Sequence, residues 1–186
     1  SLATVSVVCD FDDLFGAVSG IYANPTQEGI AWERAASAEL FQPDGRTGFR
    51  QNCGLRIQGG ASRTPEKSPK HSFRLIFRGD YGATRLRCAL FPDSRVSSFD
   101  TIVLRAGFNN SWIHWDSAQR LRTQYLRDQW ARDAVRDMGR PSSHGFFVNL
   151  YLNGVYWGLN NICERPSAPF AAAHLGRDSE DSAAHN

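Results

Sequence analysis

Alternating apolar and polar positions, separated by turn signals, recur along this chain and predict a protein built mainly from β-strands. Residues 3–9 are rich in β-branched side chains and are expected to form the first strand. Residues 37–41 and 49–58 flank a Gln-Pro-Asp-Gly turn at 42–45, which predicts a hairpin. Residues 100–105 contain a continuous apolar run, which is typical of a strand covered on both faces.

Strand alternation is clearest on the two sides of a turn rich in glycine, serine and arginine. Before the turn, Leu55 and Ile57 alternate with polar neighbours. After it, Phe73 and Leu75 fall on one face of a strand expected over residues 71–78. Both segments are therefore predicted to be half-buried strands, with one face in the core and one face toward solvent.

An Asn-Gly pair at 153–154 gives the strongest turn signal in the chain. It separates two apolar-rich runs, residues 146–152 and 155–162. Because Asn-Gly suits the positive backbone angles of a tight two-residue turn, the pattern predicts a β-hairpin. A short helix-prone piece follows at 168–175.

One long helix is expected between Asp116 and Gly139. Asp116 is a candidate N-cap, with Gln119 as its capping-box partner, and Gly139 followed by Pro141 supplies a stop. Within these limits an apolar stripe recurs every four residues, at Leu126, Trp130, Ala134 and Met138. Because helices in proteins are stabilised mainly by tertiary contacts, we expect this stripe to pack on the sheet.

Together these elements predict an α+β fold, a mostly antiparallel β-sheet with one long packed helix. We divide the chain into three parts. Residues 1–50 form an N-terminal strand and loop segment that packs on the core, and residues 51–166 form the core region itself. Residues 167–186 begin a further part of the chain and end in a small, polar stretch that is expected to be frayed.

Composition limits the classes of function. The chain has 186 residues and a formal net charge of +2, which gives no bulk electrostatic attraction to nucleic acid or to an anionic membrane. No apolar run is long enough to span a membrane. The four cysteines form neither a Cys-x-x-Cys pair nor a Cys/His cluster, so no metal site is expected. The chain does not begin with methionine, so the natural protein is expected to start upstream.

The turn between the two half-buried strands carries the candidate chemistry. Gly59 and Gly60 leave backbone N–H groups free of side-chain obstruction, and Ser62 and Arg63 add donors for an anion. Lys70 places a positive charge at the start of the next strand. This layout is typical of a phosphate-binding hairpin, although an ordinary hairpin loop has the same composition.

The order of the elements in residues 51–166 resembles the small lobe of a protein-kinase-like fold, which implies that residues 167–186 are the start of a truncated large lobe. Several strings also resemble one family in particular. They are Cys-Gly-Leu-Arg-Ile-Gln-Gly-Gly-Ala-Ser-Arg (53–63), Lys-Ser-Pro-Lys-His-Ser-Phe-Arg-Leu (67–75), Leu-Arg-Ala-Gly-Phe-Asn-Asn-Ser-Trp (104–112), Arg-Asp-Met-Gly (136–139), Leu-Tyr-Leu-Asn-Gly-Val-Tyr-Trp-Gly-Leu (150–159) and Glu164-Arg165-Pro166. These strings are similar to those of the CotH family, the spore-coat-type atypical protein kinases. The resemblance implies an ATP-dependent phosphotransferase that acts on Ser or Thr of a surface or coat protein.

The resemblance also implies roles for individual residues. Lys70 would contact the α- and β-phosphates, and Glu164 would lie at a hinge near the adenine. Asp128, in the predicted helix, is the candidate acidic partner of Lys70; the alternative is a surface pair between Asp128 and Arg132. The phosphate loop would be formed by Gly59, Gly60, Ser62 and Arg63.

The catalytic carboxylates of such kinases come after the Glu-Arg-Pro connector, so the ligands of Mg²⁺ are expected outside this chain. Asp178, Glu180 and Asp181 lack the motif context of metal ligands and are not expected to bind the catalytic metal. The resemblance thus implies that the chain is the ATP-binding portion of a kinase that is extracellular or at the cell surface, and that this portion is inactive by itself.

The alternative function is a non-catalytic extracellular module that binds carbohydrate or a partner protein. Trp112, His114 and Trp115 lie next to Asn109 and Asn110, and such a cluster in a loop can stack on a sugar ring. The same cluster is also compatible with a loop that simply packs over the edge of the sheet.

Overall fold

The computed structural model describes residues 1–175; Asp178, Glu180 and Asp181 lie outside the described residues. The described part is α+β, with a mostly antiparallel sheet, as predicted. Its strands are β1 (Ala3–Cys9), β2 (Arg34–Phe41), β3 (Thr47–Gln58), β4 (Ser72–Ile76), β5 (Leu86–Arg87), β6 (Ser98–Phe99), β7 (Thr101–Arg105), β8 (Gly145–Leu152) and β9 (Val155–Glu164). Its α-helices are α1 (Phe11–Phe15), α2 (Ser117–Arg120), α3 (Arg127–Asp137) and α4 (Ala168–Leu175).

Seven of these strands form a closed barrel in the order β1-β2-β3-β4-β7-β9-β8. Every neighbouring pair is antiparallel except β1 and β8, which run parallel and close the barrel. Residues 1–50 thus supply two complete barrel strands and the start of a third. Strands β5 and β6 form a separate two-stranded sheet.

The barrel interior is the hydrophobic core. Phe73 and Leu75 are fully buried and lie on the same face of β4, as their alternation predicts. On the neighbouring strand β3, Leu55 and Ile57 are also buried. Strand β7 is apolar because Ile102, Val103 and Leu104 are all buried, which confirms that both of its faces are covered.

Two of the turns predicted from sequence join strands that are adjacent in the barrel. Asn153 and Gly154 have φ angles of 48° and 80°, and they join β8 to β9. Only glycine and a few polar residues adopt such angles readily, which explains the Asn-Gly pair at this place. Between β2 and β3, the Gly45 amide donates a hydrogen bond of 2.9 Å to the carbonyl of Gln42 and closes the turn.

The prediction of one helix from Asp116 to Gly139 is wrong, because the segment forms two helices, α2 and α3. Asp116 is an N-cap, but it caps only the four-residue α2. Residues 121–126 form turns and irregular backbone before α3 begins. The C-terminal signal is confirmed, since Gly139 directly follows the C-cap of α3 with a φ of 74°.

The apolar stripe of α3 does not pack on the sheet. Leu126, Trp130 and Met138 are 65%, 71% and 69% exposed, respectively. The helix contacts the barrel with polar side chains instead. Arg132 donates a hydrogen bond of 2.6 Å to Oδ1 of Asn161 on β9, and the Asn161 amide donates one of 2.9 Å to Gln129.

Within the described residues, no helix is both long and apolar enough to cross a bilayer. The four cysteines are free thiols. Burial raises the pKa of Cys9 to about 11 and that of Cys53 to about 12, so both remain protonated near neutral pH. Cys53 therefore acts as a small apolar side chain of the core.

Candidate functional site

A cleft of about 400 Å³ lies on the outside of the barrel, between the loop after β3 and the N-terminal half of α3. Its floor includes side chains that point outward from β4, β7 and β9. Four residues that the sequence analysis selected for a nucleotide site line it: Gly59, Ser62, Asp128 and Glu164. Others that line it are Gln58, Ser72, Val103, Arg105, Gly107, Phe108, Asn109, Asn110, Cys163, Arg165 and Pro166.

The glycine loop forms one wall of the cleft. Gly59 has a φ of 133°, which residues other than glycine rarely adopt, and a Cβ there would clash with Oγ of Ser62. A glycine is therefore required at position 59 in this conformation. Gly60 is exposed, and it does not line the cleft.

Arg63 faces away from the cleft and holds the loop in place. Its guanidinium donates hydrogen bonds of 2.6 Å to the carbonyls of Gly59 and Ile57. It also donates to the carbonyls of Gln27 at 2.8 Å and Pro25 at 3.2 Å. Because its donors are used on backbone carbonyls, Arg63 in this conformation fixes the shape of the loop rather than presenting a free charge.

Lys70 is not among the residues that line this cleft. The Lys70 ammonium donates a hydrogen bond of 2.6 Å to the carbonyl of Leu159 on β9. It lies over Gly158, where a Cβ would come within 3.3 Å of Nζ. Burial lowers the pKa of Lys70 to about 8, because the charged ammonium is partly removed from water.

Asp128 is paired with arginines. Its carboxylate lies 3.3 Å from the guanidinium of Arg105 and 3.4 Å from that of Arg132. The surface pair with Arg132 that the helix spacing predicted is thus present. Within residues 1–175 the ammonium of Lys70 forms no ion pair with a carboxylate, Asp128 included.

Glu164, the last residue of β9, is buried and contacts two histidines. Its Oε2 accepts a hydrogen bond of 2.9 Å from the backbone N–H of His144 and lies 2.8 Å from Nδ1 of the same residue. Its Oε1 lies 2.8 Å from Nε2 of His174 on α4. The start of the Glu-Arg-Pro connector is therefore fixed by side-chain contacts at the end of the barrel.

Comparison with protein-family models identifies the family of this chain. The family model described as CotH kinase protein matches residues 55–185, well over half of the chain. This chain belongs to the CotH kinase protein family. A search of curated proteins found no match. The CotH match begins within β3 and includes the glycine loop, Lys70, Asp128 and the Glu-Arg-Pro connector.

Sequence reasoning missed the positive charges of this CotH-family cleft. Arg105, the last residue of β7, and Arg165, in the connector, both line it. The pKa of Arg74 on β4 is lowered to about 10, first by burial and then by the positive charge of Arg165. In a chain whose cations are nearly all arginines, composition gave no signal to distinguish these from surface arginines.

The aromatic loop of this CotH-family chain is partly open to solvent. Trp112 and Trp115 are 69% and 56% exposed, whereas His114 is buried and lies against the side chain of Asn109. Contacts within the loop therefore account for the burial of the histidine but leave the two tryptophans exposed. Because the two tryptophans are exposed, a non-catalytic module that binds carbohydrate or a partner protein stays an alternative prediction.

The low pKa of Lys70 gives a pH dependence that can be measured. In the unfolded chain the ammonium has a pKa of 10.5, so between about pH 8 and pH 10.5 the unfolded state binds more protons than the folded state. The contribution of Lys70 to the free energy of unfolding is therefore lowest below about pH 8, and it rises between about pH 8 and pH 10.5. From about pH 8 to pH 10.5 we expect the free energy of unfolding of the wild type to rise by roughly 1 kcal/mol relative to that of Lys70→Met. The rise is smaller than the full pKa difference would give, because solvent reaches part of the side chain.

Urea unfolding across the window measures this difference. Lys67→Met is the matched control, because Lys67 is the other lysine of the chain and is exposed. Parallel stability profiles for the wild type and Lys70→Met would show that the buried ammonium does not titrate as expected.

Proposed function

We propose that this chain is the ATP-binding portion of a CotH-like atypical protein kinase that transfers a phosphoryl group to Ser or Thr of a protein. The main support for this proposal is the cleft, which brings the glycine loop, two arginines and the Glu-Arg-Pro connector together in a chain of the CotH kinase protein family. We further propose that the acceptor is a coat or surface protein, and that the site of action is extracellular or at the cell surface.

The fit of a nucleotide rests on the donors around the cleft. Anion sites in proteins are commonly built from unobstructed backbone N–H groups together with guanidinium groups. Gly59 and Ser62 would supply the first kind of donor, with Gly60 next to them, and Arg105 and Arg165 would supply the second. The triphosphate would thus lie against the loop, as in the small lobe of kinases, and the adenine would lie toward the Glu164–Pro166 connector.

Lys70 keeps its proposed role on one condition. Its ammonium is bonded to the Leu159 carbonyl, so it would have to leave that carbonyl to reach a phosphate. A lowered pKa favours such a change, since a partly desolvated ammonium gains from a new anionic partner. Arg63 would act indirectly, by holding the Gly59 carbonyl and with it the loop.

ATP supplies the phosphoryl group, and Mg²⁺ would neutralise its charge in transfer. The residues described here bind and orient the nucleotide in this proposal. The carboxylates that position the acceptor hydroxyl and hold Mg²⁺ are assigned to other parts of the protein.

The test is calorimetric titration with ATP and Mg²⁺ at up to millimolar nucleotide. We expect Gly59→Ala to weaken binding at least about 10-fold, since an added Cβ displaces Ser62 and the loop loses its shape. Gly82→Ala is the matched control. Gly82 has a φ of 134°, close to that of Gly59, but a Cβ there would meet no atom within 4 Å, and it does not line the cleft.

The two glycine variants thus carry the same kind of backbone strain, and only one of them changes the cleft. If Gly59→Ala and Gly82→Ala bind ATP with equal affinity, the glycine loop is not part of the nucleotide site. Failure of the wild-type chain to bind ATP at millimolar concentration would contradict the proposed function as a whole.

A further inference from the structure

Three potential metal ligands meet at one end of the barrel, and one of them, Glu164, also lines the cleft beside the glycine loop. His144 directly precedes β8, Glu164 ends β9, and His174 lies on α4. The ligand atoms of the three side chains lie within 4.8 Å of one another. They come from three separate elements, so the barrel and α4 must be docked for the cluster to exist.

The charge of Glu164 is not balanced by a lysine or arginine in this cluster. Its side chain is only 4% exposed, and within residues 1–175 the side chains within hydrogen-bond distance of its carboxylate are the two imidazoles alone. A carboxylate removed from water is costly unless a cation, a proton or a metal accompanies it. The site thus has the local charge that a divalent cation would complement.

The three side chains are held in place before any ion arrives. The backbone N–H of His144 donates to Oε2 of Glu164 and orients the carboxylate. The His144 ring stacks on Phe91 at a centroid distance of 6.0 Å, and the His174 ring lies 4.4 Å from that of Phe170. The two imidazoles are nearly parallel, at an angle of 17°. Such fixed orientation is what surrounding contacts provide in known metal sites.

We propose that His144, Glu164 and His174 bind one divalent ion of the Zn²⁺ type. Two imidazoles and one carboxylate form a ligand set that occurs in zinc proteins and leaves a further coordination position open. Imidazole nitrogens favour Zn²⁺ over Mg²⁺ and Ca²⁺, which prefer all-oxygen sites. On binding, Nδ1 of His144 and Nε2 of His174 each present a lone pair to the ion, and any proton on either nitrogen moves to the other nitrogen of the same ring or is released to solvent.

The ion would connect the barrel to α4. Glu164 starts the connector, and His174 lies ten residues later on α4, so one ion bound to both fixes the direction in which the chain leaves the barrel. This site is different from the catalytic Mg²⁺ site of a kinase. Glu164 also lines the proposed nucleotide cleft, so the metal titration is carried out without nucleotide, and its result does not decide the ATP titration.

The experiment uses the full chain, first treated with a chelator and then titrated with Zn²⁺ and, separately, with Co²⁺. We expect one equivalent of Zn²⁺ to bind at micromolar concentration and the Co²⁺ form to show the intense visible absorption of a tetrahedral site. Because loss of a supporting residue alone weakens metal sites about 10- to 100-fold, His174→Gln is expected to weaken binding by about 100-fold or more.

His114→Gln is the control, because His114 belongs to the aromatic loop and is not in the cluster. The wild type should also melt at a higher temperature as Zn²⁺ is added, while His174→Gln should show no such rise. His174 lies on α4 outside the barrel, so this variant is expected to fold even if His144→Gln does not. Absence of micromolar Zn²⁺ binding by the wild type, or unchanged binding in His174→Gln, would overturn the proposal.

Discussion

Replacing Glu33 with alanine is expected to lower the free energy of unfolding by about 3–5 kcal/mol. The Glu33 side chain is only 1% exposed and lies between two guanidiniums, with Nε of Arg56 at 2.5 Å and Arg78 on its other side. The hydrogen bond from Arg78 to Glu33 is also the main reason why the pKa of Arg78 is raised. Removal of the carboxylate leaves the two partly exposed guanidiniums of Arg56 and Arg78 without the buried partner that they share.

The neighbouring strand is adapted to this carboxylate. A Cβ at Gly54 on β3 would clash with Oε1 of Glu33, so the glycine makes room for it. The effect of Glu33→Ala is measured by urea unfolding, with Glu39→Ala as the control on the same region of chain. Glu39 lies on β2 and forms no ion pair among the described residues, so its loss is expected to cost less than about 0.5 kcal/mol. Similar losses in the two variants would show that the buried ion pairs contribute little.

Arg63→Lys is expected to lower the free energy of unfolding by roughly 2–4 kcal/mol, although it keeps the charge. The planar guanidinium of Arg63 donates to four backbone carbonyls, those of Pro25, Gln27, Ile57 and Gly59. One ammonium cannot satisfy carbonyls that lie in several directions. The glycine loop and the segment near residue 27 should therefore separate.

Arg46→Lys provides the comparison for Arg63→Lys. Arg46 is 82% exposed and pairs with Asp44 within one turn, so lysine should replace it with a change below about 0.5 kcal/mol. Unfolding in urea measures both variants, and hydrogen exchange of the loop amides shows where the structure loosens. A fully stable Arg63→Lys protein would mean that the carbonyl contacts are not a support of the loop.

The elements that the sequence predicted correctly are those encoded by neighbouring residues. Strand β1 has the bounds expected from its contiguous β-branched residues. The β8–β9 hairpin follows from Asn153-Gly154, whose positive φ angles only a few residue types adopt. In both cases the local sequence favours the same structure as the whole fold does, so it can be predicted without knowledge of distant contacts.

The errors concern contacts between distant parts of the chain. The α3 stripe has the spacing of a packed helix, but spacing cannot say what the stripe faces. The side of α3 that contacts the barrel carries Gln129 and Arg132, because β9 presents Asn161 there. Barrel closure was likewise not predicted, since it depends on β1 pairing with β8 near the other end of the described chain.

In the candidate site, too, features set by neighbouring residues were predicted and features set by distant contacts were not. The glycine loop, Asp128 and Glu164 line one cleft, and the loop was visible in the sequence because glycines at a strand end are conspicuous. The orientation of Arg63 and Lys70 was not visible, because it depends on carbonyls of β3 and β9 that come from distant parts of the chain. The histidine cluster was missed because its members are ten and twenty residues apart and share no motif.

The parallel pairing of β1 with β8 has a consequence for the order in which the protein can be assembled. One edge of β1 can join β2 early, but its other edge must wait until residues 145–152 have been synthesised. Until then the nascent chain carries an unpaired apolar strand, which is a template for association with other chains. Such long sequence separation also slows folding, so this protein is expected to rely on chaperones during synthesis more than a protein of local hairpins would.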